Sequence, residues 1–424
     1  MNVLAAVVLA PHWQVAGGPM AALRLSLALS RLCDIDLARM AVADGTQRRD
    51  ELTIFDVRCS NWLRLARRVV PRSLFMLFYK AGIPELIRTG RYDLVHIHNP
   101  LPALEMKRVA RACLDSRVPY IVSTHGVVEL SSHGSVLELG RAQRAAWKIL
   151  VDSPFRFVVR HAARVMALSP ADIPILGAFG CEAERVVVVP NGVHVPAGPA
   201  QPHALEDVCR KFGIPFPKTP GIPVGMFLAN HTKNKGVNVL LEAFDAYDGP
   251  FRMIVAGSQR DYLDYARYTR PRRPDQSFHF PGFVTDQEVS LLLDYADLFV
   301  FPTLSDTFPL VVLEAMSHGV PVLASRVGGI PYQVNDACGS LVEPGSSQAL
   351  ISAFRRLTRD MNRLAAMGRA ARAHVATNFS WDASAVSAIE VYRAVLAETR
   401  RTPTGATPRP RSSELPVLKG TVGQ

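Results

Sequence analysis

Short apolar runs alternate along the chain with longer stretches whose apolar residues recur every three or four positions. Residues 3–9, 35–42, 93–98, 120–123, 165–168 and 186–189 read as buried strands, and residues 20–32 and 101–116 as amphipathic helices between them. Strands with so little polar interruption need cover on both faces, so the pattern predicts a parallel sheet wrapped by helices. From 190 to 223 it lapses into Pro196, Pro199, Pro202, Pro215, Pro217, Pro220 and Pro223, with one short helix around 205–211. A second series follows, with strands at 224–228, 253–256, 298–301 and 320–324 and helices at 237–247, 286–295 and 310–318, then further helices to about 398. The expected fold is α/β with two doubly wound units. The expected boundaries are 1–195, a linker 196–222, 223–380, a last helix 381–399, and a disordered tail 400–424 without apolar period.

Composition narrows the class. The 424 residues are 48% hydrophobic and 20% charged, which excludes an intrinsically disordered chain. No uncharged apolar run approaches the roughly 18 residues of a membrane span. The opening ten residues lack a basic leader and stop at Pro11, so a first strand is a better reading than a signal peptide. Six cysteines, at 33, 59, 113, 181, 209 and 338, form no close pairs; that excludes a disulfide framework or the usual zinc spacings and fits a reducing cytosol.

The net charge of +11 is uneven: residues 1–200 hold 24 basic and 16 acidic groups, the remainder 24 and 21. The densest basic stretch runs from Arg58 to Lys80, where Arg64, Arg67, Arg68 and Arg72 alternate with Trp62, Leu65, Val69, Leu74, Phe75 and Phe78. Such a segment can lie on an anionic membrane surface, or it can be a helix that packs its apolar side on the sheet. No base-reading module accompanies the charge, so nucleic acid is not an expected partner.

In doubly wound folds the chemistry lies in loops at the carboxyl ends of the strands. Strand 298–301 leads to a loop with Asp306, and a helix opens near Pro309, where a missing amide is tolerated. The amides of Leu310 and Val311 are then free for phosphate oxygens, and Glu314, one turn on, can accept from ribose hydroxyls. Strand 224–228 leads to a polar loop in which Lys235 and Gly236 open a second helix and place an ammonium at its start. Gly17 and Gly18 follow the first strand and allow close backbone approach to a ligand. His96 and His98 end one strand at spacing i, i+2, without a third ligand that would suggest a metal. Asn191 and Gly192 suit a left-handed turn. The Asp-x-Asp of Asp34 and Asp36 lies on an early strand, far from any phosphate loop, and is a coincidence.

The segment from Phe299 to Val322, with Asp306, seven intervening residues and Glu314, resembles the motif of retaining glycosyltransferases of family four, the group 1 type with the GT-B fold. The likeness continues through Ala324 to Pro331 and Leu341 to Gly345, and covers about residues 1–398. It implies two Rossmann-like domains facing across a cleft. It also implies retaining transfer of a sugar from a nucleotide sugar to a hydroxyl of a glycan or lipid-linked glycan, in surface polysaccharide or glycolipid assembly. No metal or other cofactor is expected, and the protein would be cytoplasmic or peripheral at the membrane's cytoplasmic face. The likeness places Lys235 on the departing diphosphate, Asp306 on donor-sugar hydroxyls, His125 beside the transferred sugar and Gly18 in a glycine-rich loop. This chain departs from the pattern in having Asp306 for Glu, Pro309 for Gly, Tyr332 for Glu, and Asn230 for an Arg that shares the diphosphate with the Lys. Lys233 or His231 could compensate for the last. Rival readings are a nucleotide-sugar epimerase or glycoside phosphorylase on the same fold, or a non-catalytic cationic scaffold.

Overall fold

A computed structural model describes residues 1–11, 17–63, 75–99, 101–126, 141–261, 264–269 and 273–401. They form two compact units. The first comprises Met1–Leu168, Asp172–Val189 and the chain from Ser384 onward; the second comprises Ser169–Ala171 and Pro190–Ala383.

The first unit is built on β1 (Asn2–Val7), β2 (Asp34–Ala41), β3 (Gly45–Arg49), β4 (Leu52–Asn61), β5 (Tyr79–Ala81), β6 (Leu94–His98), β7 (Tyr120–Ser123), β8 (Arg164–Ala167) and β9 (Val186–Val188). Their order is β3-β4-β2-β1-β6-β7-β8-β9, with β5 on β4; pairing is parallel except at β3 and β5. Five of the six residues of β1 are buried, as a central parallel strand requires. Leu4, Ala6, Val95, Ile97 and Val122 form one sheet face, covered by Met106 and Val109 of helix Ala103–Asp115 and by Phe155 and Val158 of helix Ser153–His161. The chain's last described helix, Trp381–Arg401, buries Ile389, Tyr392 and Val395. Helix Gly17–Leu29 starts three residues earlier than the apolar pattern indicates, so the paired glycines occupy its first turn.

Two features of this unit differ from expectation. The strands β3 and β4 form an antiparallel pair; β3 is fully exposed, so it carries no apolar signal. The described parts of the 58–80 stretch are the end of β4, a 3₁₀ turn at Met76–Phe78 and β5, not one helix. Residues 64–74, with the arginine cluster, lie outside the described residues, as does most of the 400–424 tail.

The second unit holds β10 (Val224–Leu228), β11 (Phe251–Ala256), β12 (Gln276–Gly282), β13 (Leu298–Phe301), β14 (Val322–Ser325) and β15 (Gly339–Val342), all parallel, in the order β12-β11-β10-β13-β14-β15. The edge strands β12 and β15 were not visible in the sequence pattern, because Ser277, His279 and Pro281 interrupt one and Gly339 and Ser340 open the other. Helix Pro202–Lys211 belongs to this unit, burying Val208 and Cys209, and the Ala200 amide donates to Asp294 at 2.8 Å. Neither Asn191 nor Gly192 has the expected left-handed backbone. Gly192 is needed for closeness instead, since a Cβ there would stand 2.3 Å from the backbone nitrogen of Trp381.

Each sheet has one point where the strand order reverses. In the first unit it lies between β1 and β6, in the second between β10 and β13. Helices leave in opposite directions there, opening a crevice beyond the strand ends.

Candidate functional site

At the reversal point of the second unit, two loops meet. The first follows β10 through Asn230 and His231 into a 3₁₀ turn at Lys233–Lys235 and then helix Val237–Asp245. The second follows β13 through Asp306 to helix Leu310–Ser317. Asn234 ties them: its carbonyl oxygen accepts from the Leu304 amide at 2.8 Å and the Thr303 hydroxyl at 3.0 Å. Gly236 permits the approach, with φ +73° and a would-be Cβ 1.8 Å from the Pro302 carbonyl oxygen. Any side chain there drives the loops apart.

The result is an ion pair between Lys235 Nζ and Asp306 Oδ2 at 2.6 Å. Both side chains are largely covered yet retain an open side, 24% and 13% exposed. Pro309 is the N-cap of helix Leu310–Ser317, one position before the expected first turn, and its carbonyl accepts from Gln333 Nε2 at 3.1 Å. Within this helix Val312, Leu313, Ala315 and Met316 are buried, whereas Leu310, Val311 and Glu314 are half-buried and share the remaining face. The amides of Leu310 and Val311 precede the first intrahelical donors, so they are available to an anion. One face thus carries a cation, a carboxylate and two backbone donors. Loop residue Gly329 closes on it, its amide donating to the Thr307 carbonyl at 2.7 Å.

Asn230 is exposed at the end of β10 and brings no charge. His231 cannot supply one. It is 1% exposed, its ring contacts the Tyr265 hydroxyl and the Ala256 carbonyl, and burial lowers its pKa. Lys233 is exposed on the turn, and Arg326, which the sequence reading did not single out, is exposed just beyond β14.

The first unit carries a second polar cluster at its own reversal point. Gly18 stands where a Cβ would meet Asn99 Oδ1 at 2.4 Å and the His125 Cβ at 3.3 Å. Asn99, after β6, and His125, after β7, both have left-handed backbones, with φ +73° and +47°. His96 spends both ring nitrogens on protein, 2.6 Å from the Tyr392 hydroxyl and 2.7 Å from the Ser123 hydroxyl. His98 Nδ1 lies 3.0 Å from His125 Nε2. Burial holds all three rings neutral: it pushes His96 down to about 3 and His125 to about 4, and lowers His98 well below the ordinary range. Four buried polar atoms here have no protein partner among the described residues: His98 Nε2, Asn99 Nδ2, Thr124 Oγ1 and His125 Nδ1. Such groups are costly unless something bonds them. Asp34 and Asp36 lie elsewhere on β2, where Asp36 accepts from the Tyr92 hydroxyl at 3.1 Å.

Lys235, Asp306, Leu310, Val311, Glu314 and Asn230 therefore belong to one unit's crevice, and Gly18 and His125 to the other's. Asn99 and the bond from His98 to His125 escaped the sequence reading. Their only signal was the alternation His-Ile-His, which places both histidines on one face of a buried strand.

Comparison with known proteins bears on the family and the fold. Residues 15–195 match the model of glycosyltransferase family 4 and residues 217–374 that of glycosyl transferases group 1. The 2-deoxystreptamine glucosyltransferase of Streptomyces kanamyceticus is 27% identical over 358 residues, 80% of this chain and 90% of that protein. Among solved structures, the sucrose-phosphate synthase of Thermosynechococcus elongatus superposes with a TM-score of 0.70 at 18% identity, covering 94% of this chain and 100% of that one. HepE of Anabaena in complex with UDP-glucose superposes with a TM-score of 0.67 at 19% identity, covering 93% and 100%. These two likenesses establish the fold. With the two family models together spanning both Rossmann-like units, the chain belongs to the family four, group 1 type of retaining GT-B glycosyltransferases, which transfer a sugar from a nucleotide-sugar donor.

Proposed function

We propose that the second unit binds the nucleotide sugar and that the transfer goes to a hydroxyl of a glycan or lipid-linked glycan held by the first unit. What supports the donor half is the Lys235–Asp306 pair beside the open start of helix Leu310–Ser317, all at the reversal point of one sheet. In this reading the ammonium and the amides of Leu310 and Val311 take up negative charge as the diphosphate departs. Glu314 accepts from the ribose hydroxyls and Asp306 from those of the sugar, while Lys233 and Arg326 offer the second cation that Asn230 does not. His125, a neutral imidazole with a free Nδ1, bonds a hydroxyl of the transferred sugar. No paired carboxylates of the kind a double displacement uses are brought together among these residues, so the departing diphosphate itself deprotonates the attacking hydroxyl on the face it leaves. UDP sugars are the first donors to test, since HepE was solved with UDP-glucose.

The acceptor half draws on charge. The first unit presents a groove lined by Trp62, Tyr79, Lys80, Lys107, Arg108 and Arg111, with Trp62 60% exposed. An aromatic ring among four cations and one carboxylate, Glu105, which pairs with Arg108, still leaves a cationic excess that suits a peripheral position on an anionic membrane. Among the described residues no helix is long and apolar enough to cross one.

Calorimetry with UDP and UDP-glucose, followed by product analysis with and without added acceptors, tests the donor half. Sugar phosphate or epimer formed without acceptor, or no nucleotide binding at all, refutes it. Sedimentation with phosphatidylglycerol vesicles tests the acceptor half: the chain should pellet with them and the triple change of Arg64, Arg67 and Arg68 to Glu should release it. Equal binding to neutral vesicles refutes that half.

A further inference from the structure

We infer that His98 is a positioning residue that sets which face of its chemistry His125 offers to the sugar. The inference rests on the proposed place of His125 beside the transferred sugar. It is carried by the bond between His98 Nδ1 and His125 Nε2 at 3.0 Å, whose two far nitrogens, His98 Nε2 and His125 Nδ1, are buried and unpartnered among the described residues.

His98 is buried and His125 half-buried, and desolvation holds both rings neutral, so each carries a single N–H. A bond between two neutral imidazoles needs one N–H and one lone pair at the shared contact. If His98 donates from Nδ1, His125 Nε2 is bare and its proton sits on Nδ1. If His125 donates from Nε2, His98 Nδ1 is bare and its proton sits on Nε2. In either arrangement the two rings share the same tautomer. The mixed arrangements set two N–H groups or two lone pairs against each other at 3.0 Å. The tautomer of His98 therefore decides whether His125 Nδ1 donates to a sugar hydroxyl or accepts from one.

The geometry makes His98 a firm reference. It ends β6, where it pairs with Val7 of β1 on one side and Ser123 of β7 on the other. Its ring lies against that of His96 with centroids 3.9 Å apart, and His96 is itself pinned by Tyr392 and Ser123. His125, by contrast, sits in a loop with φ +47°, a conformation that a non-glycine side chain holds only under local constraint. Asn99 and Thr124 contribute the other unpartnered atoms of the cluster, so a polyhydroxylated ring would meet several donors and acceptors there.

Chain labelled with ¹⁵N-histidine, read by long-range proton–nitrogen correlation, tests this. In the native protein His98 and His125 should show one common neutral tautomer. Opposite tautomers, or a charged ring at pH 7, overturn the inference without any variant. The His98→Asn change keeps a polar atom near the Nδ1 position and should hold the tautomer of His125, whereas His98→Leu should let it average between two forms. With UDP-glucose as probe, UDP release should fall roughly tenfold to a hundredfold in His98→Leu and recover most of the way in His98→Asn. The double variant His98→Leu with His125→Ala should be no slower than His125→Ala alone, because His98 acts through that ring. Additive losses, or equal losses in the Leu and Asn variants, overturn it. If His125→Ala releases UDP at the native rate, the placement of His125 fails, and the tautomer measurement still decides the coupling of the two rings.

Discussion

Replacing Lys235 with Ala removes the ammonium that stands 2.6 Å from Asp306 Oδ2. A unit charge about 4 Å from a diphosphate oxygen contributes about 4 kcal/mol at an effective dielectric constant of about 20. The Lys235 side chain is 24% exposed, so solvent screening reduces this to about 2 kcal/mol. As the glycosidic bond breaks, the leaving group gains roughly one unit of negative charge, so this interaction strengthens toward the transition state. At about 1.4 kcal/mol per factor of ten, kcat for UDP release from UDP-glucose should fall about thirtyfold. Asp306 then faces the diphosphate without its cation, and UDP affinity should drop by a similar factor, while uridine, which carries no phosphate, should bind as before. Lys235→Arg should keep most of the affinity. Because the pair is partly open to solvent, the unfolding free energy should change by less than about 1 kcal/mol, which separates a site effect from a folding defect. A folded Lys235→Ala protein with kcat within threefold of native and unchanged UDP affinity would refute the reasoning and reduce the ammonium to a local partner of Asp306.

Gly236→Ala combines a left-handed backbone with a Cβ 1.8 Å from a carbonyl oxygen. It should cost about 3 kcal/mol or more by urea denaturation, and a native midpoint counts against the loop packing. Gly18→Ala pushes on Asn99 Oδ1, the end of a short side chain, so the fold should survive while UDP-glucose turnover falls; native turnover would separate this turn from the site. Stability should also depend on pH through the buried rings. His96, His98 and His125 have pKa values lowered in the folded state, whereas unfolded imidazoles take protons near pH 6.5, so the unfolded chain binds more protons below that pH. Their contribution is complete above about pH 6.5 and is lost as pH falls toward 4. The urea midpoint should therefore drop between pH 7.5 and 5, less steeply in His98→Asn, and equal slopes for the two proteins would contradict it.

Much of this was legible in the primary structure. Central parallel strands announce themselves because they are buried on both faces, and β10 and β13 have the bounds that the apolar runs suggest. The residues of the second unit's crevice were legible because each lies in the loop that follows such a strand: Lys235 after β10, Asp306 after β13. Elements at the sheet edges were not. In β12 and β15 one side meets solvent, so polar residues are tolerated and the apolar signal breaks up. Contacts across large sequence separations were also out of reach. His96 and Tyr392 are 296 residues apart, and no local pattern says that a tyrosine of the last helix caps a histidine of β6. The same holds for Gly236, whose need arises from Pro302.

The exposed strand β3, Gly-Thr-Gln-Arg-Arg, has a consequence beyond topology. An all-parallel array of aliphatic strands ends in a row of unused amides and carbonyls, an invitation to polymerise with any neighbour. Here the row is closed by an antiparallel ribbon bearing two guanidinium groups. Like charges would meet if two copies tried to stack edge to edge. Replacing Arg48 and Arg49 with Val should therefore leave the crevice residues in place yet promote concentration-dependent association of the chain, read by light scattering.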